Sequence, residues 1–274
     1  MSSVLPLKVS AIGCIVPHFR MEKKDYFSRQ SKAYAAFRPA YPEALYQFIF
    51  KHLAGRLCAW DCATGNGQVA KYLANYFESV YATDISQQQI DHAFSSANIH
   101  YSAAPAEDSG LKSSQFDLVT VAQAMHWLDA SKFYEEVRRT TKPQALLAVW
   151  GYSLLTVDQD VDELFLEFYN DTIGRYWDEA RKLVENHYRD IPFPFREIPC
   201  PDFKISVQWT ALQLSGYLSS WSATQKYIQA HGTDPVIPFM QKLNRIWKDG
   251  EEKLVTFPVF MKLGKIHTEV ITRR

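Results

Sequence analysis

Cysteine is scarce: Cys14, Cys58, Cys62 and Cys200 are the four in 274 residues. They form neither a C-x-x-C pair nor a zinc-ligand spacing, which removes the disulfide-scaffold and zinc-ribbon classes. No metal site is expected, and the setting is a reducing, cytoplasmic one. Excess charge is also lacking, because thirty Lys and Arg balance thirty Asp and Glu. Without a basic field, neither nucleic acid nor an anionic membrane is an expected partner. Long apolar runs are absent too. Val9 to Val16 falls far short of the roughly 20 residues that span a bilayer, and it has no small-residue cleavage site after it. Residues 1–25 read as a flexible tail, with Met21 a candidate alternative start. Repeats, low-complexity tracts, a Ser-His-Asp order, H-E-x-x-H and G-K-[ST] are missing as well. Solenoid, hydrolase and nucleotide-phosphatase readings therefore have no anchor.

What is present is enough apolar material, 47%, for a sizeable core. Tyr26 to Phe37 reads as a helix ended by Pro39, and Tyr41-Pro42 opens a second with Leu45, Phe48, Ile49 and Leu53 as its stripe. From Leu57 the texture changes to near-continuous apolar runs that alternate with helical stripes. Strands are expected at Leu57 to Trp60, Val80 to Thr83, Ile99 to Ser102, Phe116 to Ala122, Ala145 to Trp150, Phe203 to Trp209 and Lys253 to Leu263. Runs of that kind suit strands buried on both faces, so the fold class is α/β with a doubly wound, mostly parallel sheet of seven strands. Residues 26–274 form one domain: a nucleotide-type core over 57–151, a helical insertion over 152–201, and strands with helices over 202–265. Helices over Val161 to Trp177 and around Leu212 to His231 should form a lid over the carboxyl edge.

The central motif is Asp61-Cys62-Ala63-Thr64-Gly65-Asn66-Gly67-Gln68, placed where a buried strand turns into a helix. Glycines there let the backbone approach an adenosine-bearing cofactor, and Asp84, which ends the next strand, offers an acceptor for ribose hydroxyls. An ordinary glycine turn is the plain alternative. A dinucleotide-binding oxidoreductase shares both features, although the third glycine of its fingerprint is Ala70 here.

With Tyr34-Ala35-Ala36-Phe37-Arg38-Pro39-Ala40-Tyr41-Pro42, Thr83-Asp84-Ile85-Ser86 and Gln123-Ala124-Met125-His126-Trp127, the chain resembles the class I S-adenosylmethionine (SAM)-dependent methyltransferases. It is most similar to the small-molecule branch of trans-aconitate methyltransferase-like proteins. The resemblance implies a Rossmann-like fold and SAM as cofactor. It assigns Asp61 to ordering the loop, Ala63, Gly65 and Gly67 to the cofactor turn, Asp84 to ribose, Ile85 and Glu107 to the adenine side, and Gln123 to the cofactor face. His126 and Trp127 would wall the methyl-transfer site, and Tyr34, Arg38, Tyr41, Tyr217 and Trp221 would meet a small-molecule substrate. For His126 and Trp127 the structural alternative is a helix cap and a core residue. The family usually has glycine where Ala63 stands, and alanine is expected to fit only at negative φ. A binding protein that has lost activity is the reading this departure keeps open.

Overall fold

The computed structural model describes residues 38–266, so Tyr34 and the expected helix from Tyr26 to Phe37 lie outside the described residues. Pro42 precedes α1 (Glu43–Lys51), where its fixed φ is tolerated and no N–H is missed, and Leu45, Tyr46, Ile49 and Phe50 form the buried stripe. Alternation follows: β1 (Cys58–Cys62), α2 (Gln68–Leu73), β2 (Ser79–Asp84), α3 (Gln87–Asp91), β3 (Ile99–Ala103), β4 (Phe116–Ala122), α4 (Ala130–Thr140) and β5 (Thr141–Tyr152).

β1 pairs in parallel with β2 on one side and β4 on the other, and β3 and β5 extend the sheet outward in the same sense. Strand order therefore reverses at β1, which opens a crevice at the carboxyl ends of β1, β2 and β4. The core divides residue by residue along β1. Ala59 joins Leu45, Ile49, Val69 and Leu73 in one cluster, while Trp60 joins Phe116, Phe133 and Val137 in the other. Burial on both faces is why these strands read as continuous apolar runs. Even the Trp60 indole is satisfied inside, donating to Thr83 Oγ1 at 2.9 Å.

The second half contains α5 (Gln159–Glu167), α6 (Arg181–Glu185), β6 (Arg196–Ile198), β7 (Phe203–Trp209), α7 (Ala211–Ser219), α8 (Ser222–His231), α9 (Val236–Leu243) and β8 (Lys253–Lys265). β8 runs antiparallel to β5, β6 and β7, giving the order β3-β2-β1-β4-β5-β8-β6 with β7 also on β8. The doubly wound, mostly parallel sheet is as expected, with eight strands among the described residues in place of seven. The extra one, β6, is three residues long in a proline-rich stretch and offers no alternation to read. The expected helix from Val161 to Trp177 is broken: α5 gives way to a π-helical turn, Phe168–Thr172, and a 3-10 turn, Gly174–Tyr176. Leu214, Leu218, Ala223, Phe239 and Leu243 of α7 to α9 belong to the same core cluster as the sheet, so the cover over the crevice is packed into the core. No helix of the described residues is long and apolar enough to cross a membrane.

Candidate active site

Next to the last residue of β1 stands Asp61, 1% exposed. Its carboxylate accepts from the Thr120 hydroxyl of β4 at 2.8 Å, from the backbone N–H of Ala70 in α2 at 3.0 Å, and from the Thr64 hydroxyl. Burial pushes its pKa up to about 6 against the pull of those three donors. One side chain thus ties β4, α2 and the intervening turn together. It is too deep to meet a ligand itself.

The turn enters the left-handed region three times, at Ala63 (φ 53°), Gly65 (φ 56°) and Gly67 (φ 81°). The expectation that Ala63 requires negative φ is therefore wrong. Hydrogen bonds from Thr64 N–H to the Thr83 carbonyl at 2.9 Å and from Gly67 N–H to the Thr64 carbonyl at 3.0 Å hold the turn. Together with Asp61 they fix a conformation that costs alanine about 1–2 kcal/mol. A Cβ at Gly65 would meet nothing within 4 Å among the described residues, whereas one at Gly67 would lie 2.2 Å from Tyr101 Oη.

Asp84 Oδ2 accepts from the Gly65 N–H at 2.8 Å, and Oδ1 accepts from the Ser86 N–H at 2.9 Å. The carboxylate assigned to ribose also tethers the turn to the end of β2. Ile85 beside it is 57% exposed. Glu107 accepts from the Asp129 N–H at 2.9 Å, which joins the loop after β3 to the start of α4. An approachable backbone at Gly65, a carboxylate two oxygens wide and an exposed isoleucine fit an adenosine-bearing cofactor.

Past β4, Gln123 is left-handed (φ 57°), and its side-chain amide continues the ladder with β5. Oε1 accepts from the Tyr152 N–H at 3.0 Å, and Nε2 donates to the Tyr152 carbonyl at 3.3 Å. A Cβ on the opposing Gly151 would lie 2.3 Å from that Oε1. Glycine is what lets the amide reach.

A cavity of about 70 Å³ opens at this edge. Gln123, His126 and Trp127 wall it from the segment after β4, and Trp177, Asp178 and Arg181 from the insertion. Tyr217, Trp221 and Ser222 wall it from α7 and α8, and Arg38 from the N-terminal side. Arg38 Nη1 donates to the Tyr152 hydroxyl at 2.6 Å, and its guanidinium lies 5.5 Å from the Tyr217 ring centroid. Arg181 Nε donates to the Tyr169 hydroxyl at 3.1 Å, with its guanidinium 4.9 Å from the Trp177 centroid. Asp178 Oδ1 accepts from Lys226 at 2.7 Å. Asp178 Oδ2 and Trp177 Nε1 are buried without a hydrogen-bond partner among the described residues. Two guanidiniums against one aspartate already held by a lysine leave the cavity positive.

His126 Nδ1 lies 2.9 Å from the Tyr188 hydroxyl. Burial, with the charge of Arg181, lowers its pKa to about 3, so the imidazole is neutral at physiological pH. It does not cap α4. Asp129 does, accepting from the Lys132 N–H at 3.3 Å. Tyr41 packs edge-on against Trp150, centroids 5.5 Å apart, and is not among the residues lining the cavity. Sequence reasoning missed Trp177, Asp178 and Arg181. Asp178-Glu179-Ala180-Arg181-Lys182 reads as a solvated helix start, and only the broken helix before it turns these side chains inward.

Residues 60–149 match the family model described as a methyltransferase domain. A curated protein of Dictyostelium discoideum named as a methyltransferase is 35% identical over 249 residues, covering 88% of this chain and 95% of that one. A Saccharomyces cerevisiae protein named as an S-adenosylmethionine-dependent methyltransferase is 27% identical over 184 residues, 61% of this chain and 63% of its own. Among solved structures, a protein from Anaeromyxobacter dehalogenans described as a type II methyltransferase superposes with a TM-score of 0.78 at 37% identity, covering 84% of this chain and 99% of that chain.

Proposed function

Because the chain belongs to the class I SAM-dependent methyltransferases, we propose that it transfers a methyl group to a small-molecule acceptor carrying a carboxylate. The observation that carries the acceptor class is the placement of Arg38 and Arg181 in one small cavity whose lining carboxylate, Asp178, is held by Lys226. Planar guanidiniums suit bidentate capture of a carboxylate. The likeness of the Tyr34-to-Pro42 and Gln123-to-Trp127 segments to the trans-aconitate methyltransferase-like branch points the same way.

SAM, when bound, supplies a methyl group already activated on a positively charged sulfur. Asp84 would hold its ribose, the turn backbone at Ala63 and Gly65 its methionine part, and Ile85 with Glu107 its adenine side. The chain's remaining task is to orient the acceptor and keep water out. Arg38 and Arg181 do the first, and Trp127, Trp177 and Trp221 do the second. A carboxylate is ionised at neutral pH and needs no base.

The oxidoreductase reading loses its ground with the family assignment. The inactive binding protein rested on Ala63, and at φ 53° that residue takes the conformation a glycine would take. The test is a turnover screen of small carboxylic acids, amines and phenols with SAM, followed by Arg38→Met on the best acceptor. Loss of a charge-assisted bond should cost about 2–4 kcal/mol in kcat/KM, with SAM affinity changed much less. An acceptor without an acidic group, or an unchanged kcat/KM, would remove Arg38 from substrate binding.

A further inference from the structure

His126 has one ring nitrogen engaged and one left over. Nδ1 faces the Tyr188 hydroxyl, the ring forms part of the cavity wall, and Nε2 has no hydrogen-bond partner among the described residues. Tyr188 decides which nitrogen carries the proton. Its phenol is buried and keeps its own proton, because burial pushes its pKa up. Among the described residues Nδ1 is the hydrogen-bond partner of that hydroxyl, so the single buried O–H, which needs an acceptor, goes to Nδ1. Nδ1 is then bare and Nε2 carries the hydrogen.

The fold fixes that phenol in place. His187 and Tyr188 are consecutive left-handed residues at φ 53° and 56°, a costly arrangement that persists only where the surroundings determine it. Tyr188 N–H donates to the Leu183 carbonyl at 2.8 Å, and its ring meets Phe260 edge-on at 5.1 Å. His187 stacks on the same Phe260 at 4.8 Å, with its Nε2 2.8 Å from Ser153 Oγ. Sequence reading offered no hint of Tyr188, which lies 62 residues from His126.

From this geometry we infer that His126 is a fixed Nε2–H donor to the acceptor's carboxylate, with Tyr188 as its positioning residue, and that the site methylates only oxygens already ionised in solution, without a general base. The inference rests on the methyltransferase reading and narrows its acceptor. The groups around His126 agree with it. Arg181 from α6 and Arg38 are cationic, Tyr188 is neutral, and Asp178, the carboxylate lining the cavity, is on Lys226. None of these groups would stabilise an imidazolium. In the transfer, a carboxylate lone pair forms the new oxygen–carbon bond as the carbon–sulfur bond breaks and its electron pair stays on sulfur. The two opposite charges cancel, and no proton is released.

Proton release therefore separates the chemistries. On the full chain with a turned-over acid, a pH indicator in weak buffer should record no proton per methyl transferred, whereas a hydroxyl or amine acceptor would give one. Nitrogen-15 NMR should show Nδ1 unprotonated and Nε2 protonated from about pH 5 to 8. His126→Ala should lower kcat/KM about tenfold, mostly through KM, and His126→Gln, whose amide N–H reaches the Nε2 position, should recover much of that loss. Tyr188→Phe keeps the ring but should mix the two tautomers and raise KM several-fold. Calorimetric SAM affinity should hold in all three. One proton per turnover, a protonated Nδ1, or a His126→Gln enzyme that binds SAM yet is dead would overturn the proposal. A parent that fails to bind SAM would instead overturn the methyltransferase reading.

Discussion

Ala63→Gly should stabilise the protein, although glycine usually weakens a fold. Alanine at φ 53° carries about 1–2 kcal/mol of backbone strain, and glycine removes it while adding about 0.4–1 kcal/mol of unfolded-chain entropy, for a net gain of about 0.5–1 kcal/mol. The same turn supplies the controls. Gly65→Ala meets nothing within 4 Å among the described residues, so it should lose about the same amount by strain alone. Gly67→Ala adds a collision, its Cβ 2.2 Å from Tyr101 Oη, which donates to the Phe94 carbonyl at 2.8 Å. Moving that ring breaks the bond and should cost about 1 kcal/mol more. Urea unfolding resolves such differences, and in a domain of this size each 1 kcal/mol also moves Tm by roughly 2–4 °C. The expected order is Ala63→Gly above parent, then Gly65→Ala, then Gly67→Ala. An Ala63→Gly protein less stable than its parent, or a neutral Gly65→Ala, would mean that the turn does not run through positive φ.

Asp84→Ala should lower SAM affinity by about 1.5–3 kcal/mol in calorimetry. It should also cost some thermal stability, since Gly65 N–H loses its acceptor, while circular dichroism stays native. Unchanged affinity in a folded variant would rule out the ribose role. His126 binds a proton in the unfolded chain below its ordinary value of 6.5 but in the folded one only near 3. The unfolded state therefore gains stability as pH falls through that window. His126→Gln lacks this penalty, so its stability relative to the parent should improve by about 1.4 kcal/mol per pH unit below about 6.5. Asp61, raised to about 6, acts in the opposite sense but is common to both proteins and cancels in the difference. Urea titrations of the pair over this range would contradict the depressed pKa if the difference stayed flat.

The βαβ alternation was readable because β1, β2 and β4 are covered on both faces and carry their signal locally, as apolar runs ended by Asp61, Asp84 and the glycine turn. The crevice at the strand ends followed from topology. Ala63 departs from the expected negative φ because sequence carries no record of how strongly Asp61, Thr64 and Thr83 hold the turn. Gln123 is expected at the cofactor face; that its amide also bonds the Tyr152 backbone is illegible in sequence, because the partner that permits this, Gly151, is nearly thirty residues away. Arg181 and Tyr188 reach the site only through the broken helix after α5 and the left-handed pair at 187 and 188, both products of tertiary packing. β6 is held by pairing with β8 rather than by any preference of Arg196, Glu197 and Ile198.

Titration calorimetry of the full chain with SAM and, separately, with NAD tests the family assignment at its root. The open backbone at Gly65 and the Asp84 carboxylate at the end of β2 lead to SAM binding in the low- to mid-micromolar range, about −7 to −8 kcal/mol, and to negligible heat with NAD. Tight NAD binding with none to SAM would contradict it.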